Sequence, residues 1–127
     1  MILLDTDVVI DLWRGHAPAL SWLGLVRNET VILPGFVVME LLQGCRNKTE
    51  QDKLQKQISR FQIAWPSSTF CDAALATYSQ LRLSHNLGLL DALIAFTAIE
   101  LNTPLHTFNQ KHYEAISALN TVEPYAR

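Results

Sequence analysis

The sequence is poor in glycine, proline and cysteine, and it has no long uninterrupted run of apolar residues. Its five glycines and five prolines are scattered, so no stretch is typical of a flexible linker. Cys45 and Cys71 belong to no C-x-x-C pair, which excludes a zinc spacing and a disulfide framework, and we expect a cytoplasmic protein. No segment approaches the roughly 18–20 apolar residues of a membrane span, and we expect no signal peptide, because the first residues are apolar and acidic rather than basic.

The length of 127 residues predicts a single domain, residues 1–127, and is too short for a (β/α)₈ barrel, which needs about 250 residues. Apolar residues make up 49% of the chain, enough for a buried core, so the composition excludes a disordered protein. Ten Lys and Arg against twelve Asp and Glu give a net charge of −2. This balance excludes binding to nucleic acid by overall charge alone, although it permits a local basic strip.

Short apolar runs alternate along the chain with segments of helical length. The first run is continuous, which is typical of a strand buried on both faces. Strands separated by helices favour an α/β layer fold with a parallel sheet. The predicted strands cover residues 2–4, 30–33, 61–65 and 105–108. The predicted helices cover residues 8–13, 19–27, 36–45, 47–60, 68–83, 89–101 and 113–119.

Three acidic residues lie in or beside apolar runs, where a carboxylate is costly unless it is paired, protonated or bound to a metal. Asp5 directly follows the first predicted strand, at the end where open α/β sheets bind ligands. Glu40 has apolar neighbours in an otherwise apolar helix. Asp91 lies near the start of the most apolar helix, a position that the helix dipole alone also explains. Asp5 and Asp91 each have an ordinary structural explanation, whereas Glu40 favours a function, and the recurrence of all three suggests a common site.

Three converging carboxylates would raise one another's pKa unless a cation neutralised them. Oxygen donors without Cys or His select a hard divalent ion, Mg²⁺ or Mn²⁺. Such an ion suits phosphodiester hydrolysis, because it activates a water molecule and stabilises charge on the phosphate oxygens. The acids therefore predict a metal site, provided that the fold brings them together.

Four short segments contain these acids and their surroundings, namely ILLDTDVVIDL at 2–12, VMELLQG at 38–44, LDALIA at 90–95 and PLHTFNQKHY at 104–113. In order and spacing they resemble the four motifs of the PIN-domain nucleases and, among these, of the VapC-like toxins of toxin–antitoxin pairs. Each motif is weak alone, but four in order are specific, and the similarity covers essentially the whole chain. The resemblance implies one PIN-like domain, with a small parallel sheet of four to five strands and helices on both faces.

The same resemblance implies a metal-dependent endoribonuclease that works through Mg²⁺ or Mn²⁺ and an activated water. Carried over by position, Asp5, Glu40 and Asp91 are its metal ligands and catalytic residues. Asn109 takes the fourth catalytic position, where the family often has another acid, and His112 stands where many members have Asp. Asn109 offers an oxygen but no charge, so the choice between one and two metal ions stays open.

Basic residues near the motifs are candidates for contacts to the RNA backbone. Five of the ten basic residues fall within residues 46–60, next to the second motif, and could form a basic strip. A solvated helix face is the alternative, because two acids dilute the strip. Thr107 could hydrogen-bond an aspartate or a water in the site. The predicted substrate-binding residues are Arg14, Arg46, Lys48, Thr107 and Lys111.

The resemblance also implies partners, namely an RNA substrate, a cognate antitoxin protein and a second copy of the chain in a homodimer. The apolar helices near residues 20–45 would suit such contacts. The sequence itself shows no interface, and it does not tell a toxin from a PIN nuclease with a housekeeping role in RNA processing.

Two further function classes remain as alternatives. In a haloacid-dehalogenase-like phosphatase, Asp5 would be the nucleophile and Asp7 the general acid. That class needs a later lysine followed by an acidic pair, and after Lys111 only Glu114 and Glu123 remain. A receiver-like module would need an aspartate at the end of the third strand, where residues 65–67 offer none.

Overall fold

The computed structural model describes all of residues 1–127, and a five-stranded parallel sheet forms its centre. The strands are β1 (Ile2–Leu4), β2 (Val31–Pro34), β3 (Gln62–Ala64), β4 (Leu105–His106) and β5 (Thr121–Val122). Their order across the sheet is β3-β2-β1-β4-β5, and every neighbouring pair is parallel. The carboxyl ends of all five strands therefore meet at one edge of the sheet. The predicted α/β fold with a small parallel sheet is confirmed.

The central strand β1 shows why the first apolar run of the sequence is continuous. Successive strand residues point to opposite faces of a sheet, and Ile2, Leu3 and Leu4 are all buried. Both faces at this strand are thus covered, as expected for a parallel sheet. At the edge of the sheet the pattern changes, because Gln62 and Ile63 of β3 are exposed.

Seven helices connect and flank the strands. They are α1 (Thr6–Trp13), α2 (Ala17–Leu25), α3 (Gly35–Gln43), α4 (Lys48–Ile58), α5 (Ser68–Leu81), α6 (Leu89–Leu101) and α7 (Gln110–Tyr113). Six of the seven helices lie within a few residues of the predicted ranges. None of the seven has the combination of length and apolar character that a membrane crossing demands.

The prediction of a last helix at residues 113–119 is wrong, since α7 ends where that helix was expected to begin. After Tyr113 the chain forms tight turns instead. The Ile116 N–H donates to the Tyr113 carbonyl at 3.0 Å, and the Leu119 N–H donates to the Ile116 carbonyl at 3.1 Å. These bonds span three residues rather than the four of an α-helix, so the segment returns quickly to the sheet as β5.

Candidate active site

Asp5 joins the central strand to the first helix and is almost fully buried, with 6% of its surface exposed. It is the N-cap of α1, and its Oδ1 accepts the Thr6 N–H at 2.8 Å. Its Oδ2 accepts the Thr107 hydroxyl at 2.8 Å, across 102 positions of sequence. Because β1 and β4 are neighbours in the sheet, the pairing of these strands itself brings Asp5 and Thr107 together.

Asp7 is the second carboxylate at this edge of the sheet, and sequence reasoning left it out of the site. Its Oδ2 accepts the Phe108 N–H at 2.9 Å and lies 3.4 Å from the Thr107 hydroxyl. Its Oδ1 accepts the Val8 N–H at 2.8 Å. The signal that could have found Asp7 is its spacing, because it lies two residues after Asp5 and close behind the first strand.

Both carboxyl groups are shifted toward the protonated form. Burial raises the pKa of Asp5 to about 6, and the neighbouring charge of Asp7 adds to the shift. Burial also raises the pKa of Asp7, while the hydrogen bonds from Phe108 and Val8 act against that shift. A buried and a half-buried carboxylate placed side by side favour any cation that neutralises them.

Asp91 lies in the first turn of α6, and its two oxygens have different surroundings. Oδ2 accepts the Gly88 N–H at 3.1 Å and lies 2.8 Å from His112 Nε2. Oδ1 has only the hydroxyl of Tyr113, at 3.5 Å. Asp91 therefore has an ordinary structural role as a cap of α6. Its Oδ1, however, has only one long contact and is available to a further partner.

Tyr113 lies close to both Asp91 and Asp5. The tyrosine is 2% exposed, and its hydroxyl contacts Asp91 Oδ1 in the neighbourhood of the Asp5 carboxylate. Burial and the charges of Asp5 and Asp91 raise the pKa of Tyr113, so the hydroxyl stays protonated and remains a donor. Sequence reasoning missed this contact, because Tyr113 stood at the predicted start of a helix rather than beside the site.

Glu40 occupies a separate position, on the wall of a groove of about 550 Å³. The groove runs between α1, α3 and the residues before α4, and Thr6, Arg14 and Arg46 also line it. Because Thr6 follows Asp5 directly, the groove leads toward the buried carboxylates. The Thr6 hydroxyl is buried and has no hydrogen-bond partner in the structure.

The predicted convergence of Asp5, Glu40 and Asp91 is not present as a closed cluster. No group of three His, Cys, Asp or Glu side chains in the structure is placed to hold a metal ion. Asp5 and Asp7 share the Thr107 hydroxyl, Asp91 contacts His112, and Glu40 remains on the groove wall. The available donors are nevertheless carboxylate oxygens without a thiolate, which is the donor set that Mg²⁺ and Mn²⁺ prefer.

The predicted substrate-binding residues occupy different surroundings. Arg14 and Arg46 line the groove of Glu40, whereas Lys111 lines a second groove of about 420 Å³ together with His112. Lys48 is exposed at the start of α4 and lines neither groove. Thr107 is fully buried and engaged with Asp5, so it orients that carboxylate and has no surface for a substrate.

Asn109 is exposed just after β4. Its backbone N–H donates to the Thr107 hydroxyl oxygen at 3.0 Å. Asn109 therefore contacts Thr107 through its main chain and not through its side-chain amide. That hydroxyl therefore accepts from Asn109 and donates to Asp5 at the same time. This short relay orients the Thr107 proton toward the buried carboxylate.

Comparison with known proteins places this arrangement in a family. The PIN domain family model matches residues 2–117. The chain is 30% identical over 120 residues to ribonuclease VapC10 of Mycobacterium tuberculosis, and the alignment covers 94% of this chain and 90% of that protein. Among solved structures it is similar to VapBC2 from Rickettsia felis bound to a DNA fragment from their promoter, with a TM-score of 0.76, 28% identity, and coverage of 96% of this chain and 98% of that chain.

Two further structures share the fold. A toxin–antitoxin complex from Klebsiella pneumoniae has a TM-score of 0.75 at 24% identity and covers 100% of both chains. VapBC-1 from nontypeable Haemophilus influenzae has a TM-score of 0.77 at 20% identity and covers 98% of both chains. The family match spans nearly the whole chain and includes Asp5, Asp91 and Tyr113. The chain belongs to the PIN-domain family.

Proposed function

We propose that the protein is a metal-dependent endoribonuclease and the toxin of a toxin–antitoxin pair. The observation that carries the proposal is the buried Asp5 carboxyl, with its raised pKa, which shares the Thr107 hydroxyl with Asp7. Burial of the ionised carboxylate costs free energy, and a bound divalent cation would offset that cost. The relative VapC10, 30% identical, is named a ribonuclease, which agrees with this reading.

Asp5, Asp7 and Asp91 are the proposed holders of the ion, with Glu40 as a further carboxylate on the groove wall and Asn109 as an uncharged oxygen donor. When bound, Mg²⁺ or Mn²⁺ would supply an activated water and stabilise charge on the phosphate. The residues of the chain fix the carboxylates. Thr107 and the Thr6 N–H hold Asp5, while the Gly88 N–H and His112 engage one oxygen of Asp91 and leave the other available.

The two polar grooves beside these carboxylates give the RNA a path. Arg14 and Arg46 on one side and Lys111 on the other supply positive charge to an otherwise acidic protein. Arg46 is free for this role, because its 3.4 Å contact to Glu50 is solvent-exposed and such pairs contribute little. Lys48 could extend the basic surface along α4.

Replacing Arg14 and Arg46 together with glutamine is expected to weaken RNA binding without unfolding the protein. Each lost phosphate contact lowers the slope of log K against log salt by about 0.7 for a single strand. The measurement is fluorescence anisotropy of a labelled RNA in EDTA, at several salt concentrations. Arg27→Gln is the matched control, because Arg27 precedes β2 at the opposite edge of the sheet. Equal slopes for the double variant and the control would contradict this path.

The proposed protein partners bind elsewhere on the surface. An apolar groove of about 350 Å³ lies between α1, α2 and α4, and we assign it to an apolar segment of the antitoxin, since similar structures are described as toxin–antitoxin complexes. Its apolar lining is Val9, Leu12, Trp13, Leu20, Leu23, Leu54, Ile58 and Phe61. A homodimer would cover exposed apolar side chains such as Met39, Trp65 and Leu75. With RNA as substrate, the proposed location is the cytoplasm.

The test of the proposed reaction is cleavage of defined RNA by the purified protein. We expect internal cleavage with Mg²⁺ or Mn²⁺, loss of cleavage in EDTA, and recovery when the ion is restored. A phosphomonoester such as p-nitrophenyl phosphate should not be hydrolysed. Turnover of that compound without RNA cleavage would instead favour the phosphatase alternative. Cleavage that is complete in EDTA would refute the metal dependence.

A further inference from the structure

The last residues of the sequence cross from β5 to α1 and meet a buried carboxylate there. Asp11 is 7% exposed, and both of its oxygens are used. Oδ2 accepts the Tyr125 hydroxyl at 2.7 Å and Arg127 Nε at 3.1 Å, while Oδ1 accepts Arg127 Nη2 at 2.9 Å. The guanidinium thus binds the carboxylate through two parallel hydrogen bonds, which is the strongest and most directional form of this pair.

Tyr125 and Arg127 also contact the loop after β4. The Tyr125 ring meets the Phe108 ring edge to face, with centroids 4.9 Å apart. The Arg127 guanidinium carbon lies 4.7 Å from the centre of the same Phe108 ring. One short segment therefore ties helix α1 to the loop that contains Phe108. We call residues Tyr125 to Arg127 the C-terminal latch.

The loop that contacts the C-terminal latch also hydrogen-bonds two carboxylates of the candidate site. The Phe108 N–H donates to Asp7 Oδ2 at 2.9 Å, and the preceding residue, Thr107, donates to Asp5. Asp7 and Asp11 are four residues apart on α1, so they lie on the same face, one turn from each other. The contacts form a closed circuit, from Asp11 through Arg127 and Phe108 to Asp7 and back along the helix.

We propose that the C-terminal latch sets the position of the Phe108 amide and, through it, of the Asp7 carboxylate, with Arg127 as a positioning residue for the reaction. The inference rests on the proposed nuclease function for its kinetic part only. A circuit closed by short, directional contacts restricts the loop more than any one contact does. Without the latch, Phe108 keeps its sequence neighbours but loses the two groups that fix its ring.

The first test is hydrogen exchange of the Phe108 amide, which needs no catalytic activity. In Arg127→Ala we expect exchange to accelerate about tenfold, the factor for losing a partly desolvated cation–aromatic contact of this kind. Arg127→Lys should recover only part of the protection, because lysine cannot bind a carboxylate through a planar fork. Arg82→Ala is the matched control, because it removes the same kind of contact at another place. The Arg82 guanidinium carbon lies 5.8 Å from the centre of the ring of Tyr78, a residue of α5.

The second test is kinetic, on RNA and well below the unfolding temperature. In Arg127→Ala we expect kcat to fall about tenfold with little change in KM, the usual loss when support of a ligand is removed. Phe108→Leu keeps the Asp11–Arg127 pair and should show the same fall in kcat even if Arg127→Ala folds poorly. Protection of the Phe108 amide equal to that in Arg82→Ala, or full kcat in Phe108→Leu, would overturn the proposal. If the wild-type protein cleaves no RNA, the proposed function fails, while the exchange experiment still decides the latch.

Discussion

Replacing Asp5 with asparagine is expected to abolish RNA cleavage and, in EDTA, to stabilise the protein near neutral pH. Asparagine keeps the shape of the side chain and an oxygen for the Thr6 N–H, but it removes the charge that a divalent ion would neutralise. Loss of a supporting residue around a metal typically costs 10–100-fold, so loss of a ligand should cost at least about 10²-fold in kcat. Activity and stability therefore move in opposite directions.

The stability gain has a defined pH dependence. The pKa of Asp5 is about 6 in the folded protein against 3.8 for an ordinary aspartate, so between these values the folded state binds more protons than the unfolded state. Wild-type stability due to this group therefore falls as pH rises through that window. Asp5→Asn has no carboxyl group that must ionise at this position. Its free energy of unfolding should therefore equal that of the wild-type protein at pH 3.5 and exceed it by about 3 kcal/mol above pH 6.

The measurement is urea unfolding of both proteins in EDTA at a series of pH values, beside an RNA cleavage assay with Mg²⁺. Comparing the two proteins removes the contributions of titrating groups distant from Asp5, so the difference reports Asp5 together with its coupling to Asp7. Asp72→Asn is the control for a change of charge alone, because Asp72 is exposed on α5. A stability difference that does not change with pH would contradict the raised pKa, and wild-type cleavage by Asp5→Asn would contradict its role as a ligand.

Substitution of Gly88 by alanine is expected to lower RNA cleavage by about 10²-fold while the protein remains folded. A Cβ at this position would overlap Oδ2 of Asp91 and lie 3.3 Å from its Cγ. The Asp91 side chain would have to turn away, losing the Gly88 N–H and His112 together. A displacement of about 1 Å at a catalytic group is enough for a loss of this size. The backbone tolerates alanine, because the φ of Gly88 is −78°.

Gly24→Ala is the matched control for this substitution. Gly24 lies in α2, and an added Cβ there meets no atom within 4 Å. Alanine should raise helix stability slightly and leave cleavage unchanged. Thermal unfolding and cleavage rates of both variants would separate the effects. Full activity in Gly88→Ala would show that the position of Asp91 does not matter for the reaction.

The sequence predicted the sheet well, because β1 is a continuous apolar run and the strands are separated by helices. It also placed Asp5 correctly at the carboxyl end of β1, since only the direction of the strand is needed for that conclusion. The last helix was misplaced because residues 114–119 contain apolar residues at helical spacing, yet they form turns. The conformation of this segment depends on the pairing of β5 with β4, and a local sequence pattern does not predict that pairing.

The surroundings of the acids were beyond the sequence for a different reason. The contacts of Asp91 with His112 and Tyr113 depend on where β4 delivers α7, and Glu40 remains apart because of the packing of α3. Asp11 received no attention, because its partner Arg127 is 116 positions away and no local pattern connects them. Sequence patterns identify which side chains are unusual, but distances between helices decide which of them meet.

The position of β1 at the centre of the sheet has a consequence for protein synthesis. Thr107, which orients Asp5, is synthesised 102 residues after it, and the pairing of β1 with β4 waits for the same part of the chain. Folding during translation can begin with the pairing of β1 and β2, but the β1–β4 side of the sheet cannot form until β4 has emerged. The two buried groups that meet at this edge, Asp5 and Thr107, therefore come together only after β4 has been synthesised, whichever strands fold first.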